Sequence, residues 1–202
     1  MSKHAPLAPR ATINKAEVFA TCGYVPTPPQ DIIHAAGPHD SGGARFRWVS
    51  AGVRTGKTTA ASMELVAAVL APTPRTTEWW VAAPTHSLAD RCFKAVCQAF
   101  TQFLPEHVVR LAEHDGSLLV RNLAGHEALI LRRSTERPIS LVGAGVDGMI
   151  VDEASGISDD SWESGLSTRL LDRLGWVLAI SSPRGTSGFF ARGLARGLKG
   201  DD

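Results

Sequence analysis

The eight residues from Ala51 to Thr58, Ala-Gly-Val-Arg-Thr-Gly-Lys-Thr, have the types and spacing that hold a chain of phosphates. A loop of this kind turns successive backbone N–H groups inward, at the positive end of the helix that follows it. Lys57 then reaches the β- and γ-phosphates of a nucleoside triphosphate, and the Thr58 hydroxyl is placed to ligate Mg²⁺. Ala51, Gly52, Val53, Arg54, Thr55 and Gly56 supply the backbone of the cradle. Two positions depart from the common pattern. Ala51 stands where a first glycine gives a tight turn, a freedom Gly52 can supply instead. Arg54 stands where a smaller residue is usual.

Such a loop needs carboxylates to complete it, and "GMIVDEAS" provides them. Four apolar residues end in Asp152 and Glu153, so both acids sit at the C-terminal edge of a buried strand, where open α/β sheets gather their ligands. Asp152 there can hold Mg²⁺, and Glu153 can polarise an attacking water as general base. A buried strand ending in a solvated acidic turn is the competing explanation. "VLAISSPRG" puts Ser181 and Ser182 at the same edge, where hydroxyls can sense a γ-phosphate or its water; Ser and Pro also end strands for ordinary turn reasons. Gln30, in "YVPTPPQ", carries an amide able to pair with adenine N6 and N7, though a lone Gln after prolines is commonly just solvated.

The elements around these residues follow from periodicity and punctuation. "RFRWVSA" predicts a strand before the loop, and "KTTAASMELVAAVLA", free of internal Gly and Pro, predicts a helix after it. "TEWWVAAP" is a second strand. "SLADRCFKAVCQAFTQFL" is a helix, with Ser87 as N-cap and Asp90 completing a loose capping box. "SLLVRN" and "EALILRR" flank "LAGH" as a hairpin. "GMIVDE" and "WVLAISSP" are apolar strands, and "SDDSWESGLSTRLLDRL" between them is a helix. Continuous apolar strands separated by helices imply a mainly parallel sheet covered on both faces, an α/β fold. Residues 1–30, rich in Pro, Ala and Thr, read as an extended lead-in rather than a packed element, leaving 31–202 as the folded domain.

Composition narrows the class. The chain has 202 residues, 44% hydrophobic and 20% charged, enough for one compact domain. A formal net charge of +1 advertises no nucleic-acid field, so any DNA contact would be a local patch. Cys22, Cys92 and Cys97 lack zinc spacing, and none of the histidines, from His4 to His126, has a metal-ligand spacing. Reduced thiols, no apolar run of membrane length and no secretory leader point to a cytoplasmic location.

The order of motifs from about Tyr24 to Phe190 resembles the large terminase subunit, the ATP-driven motor that packages DNA into tailed-bacteriophage heads. "PTPPQ", "AGVRTGKT", "WVAAPTHSLA", "GAGVDGMIVDEAS" and "WVLAISSPRGTSGFF" carry the resemblance. It implies a P-loop NTPase fold of the RecA-like (ASCE) type, with ATP and Mg²⁺ as cofactors. It also implies roles. Gln30 contacts adenine, Arg54 and Lys57 handle the γ-phosphate, and Thr58 and Asp152 hold the metal. Glu153 activates water, while Ser181 and Ser182 couple hydrolysis to movement of double-stranded DNA. Portal protein, the small terminase subunit and a ring of copies assembled on the portal are the partners implied.

Two features depart from that family. Its members commonly have Leu-Arg-Gly before the acidic strand, the arginine acting as a finger toward a neighbouring subunit; here the triplet is Leu141-Val142-Gly143, with Arg137 a possible substitute. Family members also carry a nuclease domain after the motor, whereas this chain ends at Asp202 without a further carboxylate cluster, so no nuclease activity is expected. Two other readings compete: a nucleotide-binding remnant that docks to partners without hydrolysis, and a helicase-like lobe, which would need a second lobe downstream.

Overall fold

A computed structural model describes residues 12–35, 44–136, 141, 143 and 145–199. Its centre is a seven-stranded sheet in the order β1-β7-β6-β2-β5-β4-β3. The strands are β1 (Phe46–Ser50), β2 (Thr77–Ala83), β3 (Val108–Ala112), β4 (Ser117–Arg121), β5 (Glu127–Ser134), β6 (Gly148–Asp152) and β7 (Trp176–Ser181). From β1 through β7, β6 and β2 to β5 all pairings are parallel; β4 and β3 add an antiparallel edge. The mainly parallel α/β fold expected from the apolar strands is therefore present, with the hairpin on its far edge. β3 is the strand the sequence conceals, because on an edge its Val109 and Leu111 stay exposed and show no buried alternation.

Period-two alternation divides the core. Trp79, Val81, Ile150, Leu178 and Ile180 face one side, where α3 (Lys57–Leu70) and α4 (His86–Phe103) pack. Trp80, Ala82, Met149, Val151 and Ala179 face the other, beneath Trp162, Phe189 and Phe190. α3 is buried nearly all round, from Ala60 to Leu70, which is why its sequence is Ala-rich and lacks a polar face. Truncating one of its fully buried leucines, Leu65, should cost about 2–5 kcal/mol by the usual transfer and cavity terms.

Four expectations need correction. The segment before residue 30 is packed: α1 (Lys15–Thr21) buries Val18 and Phe19 in the α3-side core, and α2 (Pro28–Ala35) spans the boundary placed at residue 30. Asn14 caps α1 by accepting from the Glu17 N–H, a signal masked by the surrounding prolines and alanines. Thr85, not Ser87, caps α4, accepting from the Leu88 N–H, and Asp90 pairs with Arg132 instead of closing a capping box. The stretch after β6 is not one regular helix but a π turn, Ser161–Leu166, running into a short α5 (Ser167–Arg169). Ser164, Ser167 and Thr168 donate their hydroxyls to carbonyls four residues back, which loosens the regular ladder.

Last in the chain is α6 (Gly188–Lys199), whose glycines hide a helical pattern. Gly193 is required: a Cβ there would enter the Trp48 ring of β1. No helix among the described residues is long and apolar enough to cross a membrane.

Candidate nucleotide site

The phosphate loop leaves the end of β1 and is tied at once to its neighbour, the Ala51 N–H donating to the Ser181 carbonyl of β7 (3.2 Å). Arg54 (φ 65°) and Gly56 (φ 77°) both adopt left-handed backbone, which turns the chain back into α3. Gly56 is needed twice, since a Cβ would also collide with the Gln30 carboxamide. Thr55 Oγ1 donates to the Gly52 carbonyl (3.0 Å) and closes the loop on itself. Val53 is 78% exposed at its tip. Arg54 is exposed and makes no hydrogen bond or ion pair among the described residues.

Three loops converge where β1, β6 and β7 end. Lys57, buried, donates from Nζ to Ser182 Oγ (3.1 Å) and to the Gly52 carbonyl (3.3 Å). The Thr58 hydroxyl donates to Asp152 Oδ2 (3.1 Å), and the Glu153 N–H donates to Asp152 Oδ1 (2.8 Å). Burial pushes the Asp152 carboxyl above the usual carboxylate range, partly offset by those two hydrogen bonds and by the Lys57 charge. A buried carboxylate beside a threonine hydroxyl is a donor set that would fit a divalent cation. Glu153 has left-handed backbone (φ 50°) and faces Arg184, Nη2 to Oε2 at 3.8 Å.

The sequence did not single out Ser155 or Arg184. Ser155 shares a short hydroxyl contact with Ser181 (2.6 Å) and its N–H donates to the same Ser181 Oγ (3.2 Å). That stitches the acidic turn after β6 to the end of β7. Nothing in the sequence advertises it, because a Ser after an acidic pair is ordinary loop chemistry.

Gln30 is neither solvated nor turned outward. Its Oε1 accepts from the Thr27 N–H (2.8 Å) and hydroxyl (3.0 Å), and its Nε2 donates to the Gly56 carbonyl (3.0 Å). The amide braces the phosphate loop from α2. Both oxygen lone pairs are occupied, so bidentate pairing with an adenine would require Thr27 to let go. Behind it, His34, Lys15 and Arg47 converge on Glu64 of α3, binding α1, α2 and β1 to the helix that carries Lys57. Arg137 and Val142 lie outside the described residues.

No protein-family model matches the chain. A curated relative, the large terminase subunit of Thermus phage G20c, is 31% identical over 197 residues, covering 90% of this chain. The chain spans only 39% of that relative's length. Among solved structures, the large terminase ATPase domain of Thermus phage P74-26 superposes with a TM-score of 0.73 at 30% identity, covering 85% of this chain and 70% of that one. The large terminase of bacteriophage HK97 superposes at 0.76 over 94% of this chain and 42% of its own, at 17% identity, a likeness of fold.

Proposed function

Because this chain belongs to the large subunits of bacteriophage terminases, matching them through the ATPase domain, we propose that it is an Mg²⁺-dependent ATPase driving double-stranded DNA into a viral procapsid. The observation that carries the reading is the meeting of Lys57, Thr58, Asp152, Glu153 and Ser182 at one edge of the sheet. In this reading the loop from Ala51 to Gly56 cradles the phosphates with its N–H groups, and Lys57, joined by Arg54, neutralises the γ-phosphate. Thr58 and Asp152 would hold Mg²⁺, which supplies charge neutralisation as the phosphoryl group departs. Glu153 takes the proton of the attacking water. Gln30 fixes the loop and keeps one N–H for the base.

Lys57 also suggests how hydrolysis reaches the DNA. Its present acceptor is the Ser182 hydroxyl, at the end of β7. A γ-phosphate competing for Lys57 would free Ser182, so the β7 end with Ser181 and Ser182 is the natural lever. Double-stranded DNA, portal protein, the small terminase subunit and neighbouring copies in a portal-bound ring are the partners this motor would use, in the host cytoplasm.

The test is a paired measurement of ATP binding and hydrolysis. Lys57→Ala should abolish ATP binding while the nucleotide-free chain still folds and melts cooperatively, its Tm lowered only by the loss of the Ser182 and Gly52 hydrogen bonds. Glu153→Gln should bind ATP normally and turn over about 10² to 10⁴ times more slowly. Wild-type affinity in Lys57→Ala removes the central claim, and wild-type turnover in Glu153→Gln removes the role given to Glu153.

A further inference from the structure

Glu153 is held by its backbone far better than by its side chain. Its left-handed main chain is fixed by the N–H bond to Asp152 Oδ1 at 2.8 Å. Its carboxylate has no such anchor: Oε2 is buried and accepts no hydrogen bond among the described residues. The ion pair it makes is with Arg184, at 3.8 Å, a step beyond hydrogen-bond length. A buried carboxylate oxygen without a donor is costly, and such atoms concentrate where chemistry is done.

We propose that Arg184 is a positioning residue for Glu153, its guanidinium setting the direction of the carboxylate from the β7 side of the site. The inference rests on the hydrolytic role given to Glu153 above. An arginine 65% exposed would ordinarily count for little, because solvent screens surface pairs. Two features separate Arg184 from that case. The carboxylate it faces is only 21% exposed, so the pair is screened on one side alone. The root of Arg184 is anchored, too: Pro183 restricts the preceding backbone, and Ser181 is stitched to Ser155, two residues beyond Glu153. The segment carrying the guanidinium and the turn carrying the carboxylate are thus one cross-linked unit.

Steady-state ATP hydrolysis and direct ATP binding by the full chain test the proposal with Arg184→Gln, Arg184→Lys, Glu153→Asp and the Glu153→Asp/Arg184→Gln double variant. Arg184→Gln should lower kcat about tenfold while KM and Kd stay within about twofold, the mark of lost alignment rather than lost binding. Arg184→Lys should recover most of the rate. In the Glu153→Asp background, where the carboxylate is withdrawn by one methylene, Arg184→Gln should cost less than about threefold, since the contact is already gone. A rise in KM with kcat unchanged would make Arg184 a phosphate ligand and overturn the inference. So would an undiminished loss in the Glu153→Asp background, or a wild-type rate in Arg184→Gln. A wild-type chain that binds ATP but never turns it over overturns the hydrolytic reading itself, and this role falls with it.

Discussion

Glu64→Gln is the substitution that most directly tests how the chain holds its nucleotide loop in place. Glu64 lies two turns into α3, its side chain 2% exposed, and both of its oxygens are engaged. Oε1 takes Lys15 Nζ (3.1 Å) and His34 Nδ1 (2.8 Å); Oε2 takes Arg47 Nη1 (2.8 Å). Glutamine keeps the shape but not the charge, and its NH₂ sets a donor against one of these donors. Removing one member of a buried ion pair typically costs 3–5 kcal/mol, because the partner charge stays behind in low dielectric. Against a total stability of about 5–15 kcal/mol that is a large fraction. For a chain of this size it corresponds to a fall in Tm of roughly 6–20 °C. Burial alone would raise the Glu64 carboxyl, but the His34 hydrogen bond and the charges of Arg47 and Lys15 outweigh it and hold it down at about 2, from an ordinary 4.5. The sign follows. A depressed carboxyl contributes its stability in full above the unfolded value, and loses it as pH falls from 4.5 toward about 2. Urea unfolding of both proteins at pH 7, repeated at steps down to the acid limit, should therefore show a gap of about 3–5 kcal/mol that narrows below roughly pH 4.5. A gap under about 1 kcal/mol, or one that acid leaves unchanged, would mean that the four side chains are no more than a surface-like cluster.

Other outcomes follow from the same geometry. Gly56→Ala should destabilise by at least about 1 kcal/mol from its left-handed backbone, and should weaken ATP binding further by dislodging Gln30; melting and fluorescent-nucleotide titration measure the two separately. Since the Asp152 carboxyl lies above the usual range, Mg²⁺-dependent binding should weaken on acidification before an ordinary Asp would protonate, and Asp152→Asn should abolish that pH dependence.

What the sequence discloses and conceals divides along one physical line. The phosphate loop, the acidic strand end and the β7 hydroxyls are local patterns: a strand, a turn and a helix start, each made by neighbours in sequence. As patterns they are legible, and the structure pairs Lys57 with Ser182 and Thr58 with Asp152 by hydrogen bonds. The connections between the loops were not legible. Ser155 to Ser181, Arg184 to Glu153, Gln30 to Gly56 and Glu64 to Lys15 each join segments far apart in the chain, through residue types that suit a solvated loop equally well. Helices α1 and α6 were missed for a related reason. Asn14 caps one amid Pro- and Ala-rich surroundings, and Gly193 sits in the other because a neighbouring ring leaves no space for a Cβ. Propensity speaks for the segment alone, while packing decides. The same distinction applies to the motor proposed here. The residues proposed to touch nucleotide lie in short local patterns, but the pins that join one loop to another are set by the fold. Rate-altering substitutions beyond the residues proposed to touch nucleotide should therefore be sought first at Ser155, Arg184 and Glu64, where a single side chain joins two loops or helices.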